Sequence, residues 1–124
     1  MMKKICLLLI LFTQISCSND DTPQQFCTTV FVYGLSITVT DATSNTILTE
    51  DVSVIARDGS YEESLMNNEG FDEFFGAGER PGNYTIEIMA PNYQTFTSEV
   101  ITVELTRDAC HVETEVLEFQ LQPI

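Results

Sequence analysis

The sequence predicts an all-β fold, an antiparallel two-sheet β-sandwich of about seven strands, and three observations carry that reading. Apolar and polar residues alternate at a period of two in several short runs. Turn chemistry separates those runs: Asp41 to Thr46, Asp58-Gly59, Pro81-Gly82-Asn83 and Pro91-Asn92. Between the turns no stretch carries the helical apolar period. The plainest run is Tyr84 to Ala90, held between two proline turns, with Tyr84, Ile86, Ile88 and Ala90 on one face and Thr85, Glu87 and Met89 on the other. Pro81 suits the second position of a turn, and Gly82 is expected to supply the positive φ of a type II turn.

The first residues stand outside the fold. Lys3 and Lys4 precede an unbroken apolar run from Ile5 to Phe12, followed by the polar Thr13 to Ser16 and then Cys17. The run is far short of the ~20 residues that span a bilayer as a helix, and the charge order is that of an export signal covering residues 1–16. A buried N-terminal helix is the alternative. Ile15-Ser16-Cys17 resembles the lipobox of bacterial lipoproteins, with Gln14 where Leu usually stands, and Ser18-Asn19-Asp20-Asp21 resembles the acidic export tag of Bacteroidetes surface lipoproteins. The resemblance implies lipidation of Cys17 and anchoring to the outer membrane, facing the cell surface. More than one acyl chain makes such anchoring stable, at about 0.8 kcal/mol per buried methylene. Cleavage after Ser16 with a free Cys17 is the competing outcome.

Without residues 1–16 the chain keeps 108 of its 124 residues, enough for one core. Three arginines then face 19 acids, a net charge of −16 (3 − 19). Such a surface repels nucleic acid and anionic headgroups, so nucleic-acid binding is excluded. Cys6 leaves with the signal and Cys17 takes the lipid, so Cys27 and Cys110 remain as a pair. In an oxidising compartment they read as a disulfide, closing a loop of about 80 residues worth roughly 4 kcal/mol.

Residues 17–25 are polar and read as a tether, leaving residues 26–124 as the domain. Order begins at Phe26-Cys27, with an edge strand through Val30, Phe31 and Val32. Leu35 to Thr40 follows with Leu35, Ile37 and Val39 inward, then Val52 to Arg57, a hairpin at Asp58-Gly59 and its return from Tyr61 to Leu65. Met66 to Gly78 reads as a long loop. After the central strand come Gln94 to Thr97 and Val100 to Leu105. In the last segment Val112 and Val116 share one face while Leu117, Phe119 and Leu121 take the other, which predicts a bulge or a passage between sheets.

Ile37-Thr38-Val39-Thr40-Asp41, Val52-Ser53-Val54, Asp58-Gly59, Pro81 to Ile86 and Pro91-Asn92-Tyr93, in that order, resemble a carboxypeptidase regulatory-like domain over roughly residues 35–122. The resemblance implies a transthyretin-like, seven-stranded sandwich without a catalytic residue or cofactor, serving as a binding or structural module. The occurrence of Glu79-Arg80-Pro81-Gly82 together with Cys110-His111-Val112 is similar to a bacterial subset of these domains.

Candidate chemistry is sparse. His111 with Glu113 and Glu115, spaced by two, is an N,O,O ligand set or an acid–base site in principle; a polar solvent face is the simpler reading. Glu62-Glu63 and Asp72-Glu73 are acid pairs whose ordinary state is solvated. Phe71, Phe74 and Phe75 crowd the long loop. Exposed, they form a patch for a protein or glycan partner; folded back, they close the end of the sandwich.

Overall fold

The computed structural model describes residues 26–124, and every regular element among them is a strand. They are β1 (Tyr33–Asp41), β2 (Ser53–Asp58), β3 (Tyr61–Ser64), β4 (Glu73–Gly78), β5 (Gly82–Met89), β6 (Phe96–Thr97), β7 (Ile101–Val103) and β8 (Glu115–Leu121). A three-stranded sheet in the order β4-β1-β8 faces a five-stranded sheet in the order β3-β2-β5-β6, with β7 also on β5. The β-sandwich expected from the sequence is the fold. The expected signal, the expected lipidation site at Cys17 and the expected tether lie outside the described residues.

The core is the sum of the inward half of each strand. Leu35, Ile37 and Val39 of β1 are fully buried against Val54 and Ala56 of β2 and Tyr84, Ile86 and Ile88 of β5. Each large aliphatic side chain so buried contributes about 2 kcal/mol. β5 is central because its alternation is the cleanest, and it takes β2 on one edge and both β6 and β7 on the other.

Tyr84 anchors the start of β5. Its hydroxyl, at the end of a fully buried ring, donates to the Arg80 carbonyl at 2.7 Å and accepts from Arg80 Nη1 at 2.9 Å. The same guanidinium pairs with Asp58 Oδ2 at 3.0 Å and lies 3.7 Å from the Tyr61 ring centre. The β2–β3 hairpin is thereby joined to the β4–β5 turn.

Several expectations need correction. Gly82 is not among the residues with positive φ; those at this turn are Ala77 (52°) and Glu79 (50°). Space favours glycine at position 82, since a Cβ there would push the Asp58 carboxylate from its place beside Arg80. Asn92 does adopt the left-handed conformation, at 67°. Val30 to Val32 form no strand; the first begins at Tyr33, because Val32 N–H is taken by the Glu79 carboxylate instead of a ladder. The long loop is not all loop. Glu73 to Gly78 pairs with β1 as β4, its alternation masked by three small residues where a strand usually carries bulky ones.

The last segment passes between the sheets. Leu105 and Val112 form a bridge beyond β7, Glu113 N–H donates to the Glu104 carbonyl, and the chain then crosses to lie beside β1. It arrives parallel to β1, so the sandwich is mostly and not wholly antiparallel. The phase change falls between Val112, which is buried, and Val116, which is 76% exposed, so the two do not share a face.

The predicted disulfide is present. Cys27 and Cys110 are bonded with their Cα atoms 5.2 Å apart, across a sequence separation of 83.

Candidate binding face of the three-stranded sheet

Directly paired residues on adjacent strands point to the same side of a sheet. Met66 bridges Phe75, Phe75 pairs with Ser36, and Ser36 pairs with Val116. The alternate residues, Phe74 on β4 and Leu35 and Ile37 on β1, are buried, so this row crosses the outer face. Met66 is 56% exposed and Val116 is the most open large hydrophobic side chain on any described strand.

Aromatic rings extend the row. Phe71 meets Phe75 edge-on at 5.9 Å, Phe75 lies 5.4 Å from Tyr33, and Tyr33 meets Phe31 edge-on at 5.1 Å. Phe31 lies against Gly78, where any Cβ would strike its ring. Phe71 and Phe31 are more than half exposed. An apolar strip of this kind facing water is a candidate interaction surface.

The charged residues of the face are acidic. Glu73 and Glu118 flank Thr38 from either side, and Thr40 Oγ1 donates to Glu118 Oε1 at 3.5 Å. The three strands carry Asp41, Glu73, Glu115 and Glu118 and no Lys, Arg or His. Arg57 is held by Glu62 and Glu87, and Arg80 by Asp58, all on or beside the other sheet.

The three phenylalanines expected to act together are divided. Phe71 is exposed, Phe75 is half-buried on the outer face, and Phe74, at 3% exposure, belongs to the core and leaves the patch. Its direction follows from β4: opposite Ile37, it must point inward. Met66, Phe31, Tyr33 and Val116 join the patch instead. Their only sequence signal was the out-of-phase Val116, which alternation would have placed outward had the crossover been located.

His111 is not grouped with Glu113 and Glu115. Its Nδ1 lies 2.7 Å from Glu79 Oε1 and its Nε2 lies 2.9 Å from Thr28 Oγ1. Glu79 also accepts from Val32 N–H at 2.8 Å, and the His111 hydrogen bond, first among its causes, lowers its carboxyl below the ordinary glutamate range. Among the described residues no group of three could hold a metal ion. Thr28, His111 and Glu79 form a hydroxyl–imidazole–carboxylate array. The concavities of about 330 and 250 Å³ lie elsewhere, around Leu48 and Glu50 and extending to Tyr93. The array ties the segment before β1 to the β4–β5 turn.

No protein-family model and no curated protein matches this chain. Other polar groups of the sequence have structural partners. Glu62 pairs with Arg57, Glu63 accepts from Ala77 N–H at 2.7 Å, and Asn83 accepts from Thr102 at 2.8 Å.

Proposed function

We propose that this chain is a non-catalytic, lipid-anchored module of the bacterial cell surface that binds a protein partner through the outer face of β4-β1-β8. The observation that carries the reading is the exposed apolar row from Met66 through Phe75 to Val116, continued by Phe71, Tyr33 and Phe31. The anchor rests on the residues before and around Cys17, and the sandwich is compatible with the carboxypeptidase regulatory-like resemblance. A protein suits the face better than a glycan. Met66 and Val116 at its ends are aliphatic, and two of its three ring contacts are edge-on, at 84° and 85°, which suits interdigitation with apolar side chains more than stacking against a sugar.

The test is a photo-crosslinking residue placed at Val116 in intact cells, with Met89 on the five-stranded sheet as the control position. Adducts at Val116 and none at Met89 are expected; equal labelling at both positions would remove the reading. Cys17→Ala is expected to release the protein from the membrane fraction.

A further inference from the structure

We propose that the open edge of β8 accepts an extended, cationic segment of the partner as an added strand, continuing the sheet β4-β1-β8. This rests on the proposed binding face and names the chemistry of what occupies it.

Successive residues of a strand turn their backbone groups to opposite edges. The Leu121 carbonyl accepts Ala42 N–H on the β1 side, whereas the Gln122 carbonyl accepts Gln94 N–H on the other. Val116, Glu118 and Gln120 therefore present their N–H and C=O groups to the edge away from β1, where no described strand or bridge pairs with them. The chain itself uses the end of this edge. Tyr93 bridges Pro123 antiparallel and Ile124 N–H donates to the Asn92 carbonyl. After Gln94 the backbone leaves to form β6 on β5, so the path alongside Gln120 to Glu115 stays open.

An unpaired edge is a template for another strand, and the charges on this one select which. A second copy docking antiparallel would set β8 against itself, bringing glutamates toward glutamates, and each chain carries a net charge of −14. A cationic strand meets the opposite situation. On the outer face it would place an apolar residue beside Val116 and a lysine or arginine beside Glu118, two positions apart. The apolar row would then run unbroken from Met66 onto the partner.

The experiment uses the full chain and an acetylated, amidated peptide, Thr-Thr-Val-Thr-Lys-Thr-Val-Thr-Lys-Thr, followed by amide hydrogen exchange. Exchange at Val116, Glu118 and Gln120 is expected to slow at least about tenfold, with Leu117 and Phe119, already turned toward β1, unchanged. The same peptide methylated at every second backbone nitrogen, so that its pairing edge is blocked, is expected to give no protection. Glu118→Lys is expected to lose this peptide and to accept one with glutamate in place of lysine. Equal protection by a peptide of the same composition with its lysines adjacent would mean unspecific charge attraction and would overturn the inference. Shifts at Phe71 and Phe75 without slowed exchange at the three edge amides would also overturn it, while leaving the binding face standing. No response at all would overturn the cationic strand, and the crosslinking at Val116 would still decide the face.

Discussion

Glu79 Oε1 receives both His111 Nδ1, at 2.7 Å, and the Val32 backbone N–H, at 2.8 Å, so one carboxylate fastens the entry to β1 to the residue after Cys110. The folded-state pKa of Glu79 is lowered, chiefly by His111. A depressed carboxyl contributes stability above its unfolded pKa, near 4.5, and loses it as pH falls through the lower folded value. Glu79→Gln is therefore expected to lower the melting temperature at pH 6 to 7. The gap to wild type should close in strongly acidic solution. Thermal melts across that range check this, and a gap independent of pH would contradict it.

The disulfide removes disorder from the unfolded chain by an amount that grows with the logarithm of the loop it closes. For a separation of 83 residues the chain-entropy relation gives about 4.5 kcal/mol. Replacing Cys27 and Cys110 together by serine is expected to lower the free energy of unfolding by about that amount, with a steeper dependence on denaturant because the uncrosslinked chain unfolds to a more expanded state. Thiol labelling of the unreduced, denatured protein is expected to find neither residue free.

Tyr84 has a buried ring and two hydrogen bonds to the same arginine residue. Tyr84→Phe keeps the ring and leaves the Arg80 carbonyl without its donor, which costs about 1 to 3 kcal/mol. Urea titration measures the loss. A neutral result would mean that water replaces the hydroxyl.

Gly34 is filled from both sides: a Cβ there would lie 2.7 Å from Val103 Cγ1 and 2.8 Å from the Ala77 carbonyl oxygen. The second neighbour is backbone and cannot swing away. Gly34→Ala is expected to cost about 1 to 3 kcal/mol through overpacking. Gly59→Ala, with open space but a φ of 58°, should cost about 1 kcal/mol through backbone strain alone. Comparing the two unfolding midpoints separates crowding from conformation.

The layers of this fold were legible because β1, β2 and β5 alternate cleanly, and the cysteine pair because only two cysteines follow the tether. β4 was missed because Gly76, Ala77 and Gly78 carry almost no apolar signal; they are small to admit Leu65 and Phe31. The binding face was half legible. Phe71 and Phe75 stood out by composition, but Val116 joins them only through Ser36, 80 residues earlier, and Met66 and Phe31 only through the pairing of Phe75 and its contact with Tyr33, none of which local periodicity encodes. His111 was noticed, and its true partner Glu79 was not, because the two meet across 32 residues through a turn held by a left-handed glutamate.

The most direct test of the binding face compares hydrogen exchange of the anchored protein in outer-membrane vesicles with that of the protein purified from them. Slower exchange in the vesicles is expected in the segments carrying Met66, Phe71, Phe75 and Val116, with β2 and β3 on the opposite layer unchanged. Identical exchange across both sheets would mean that nothing covers this face, and the proposed role would fall.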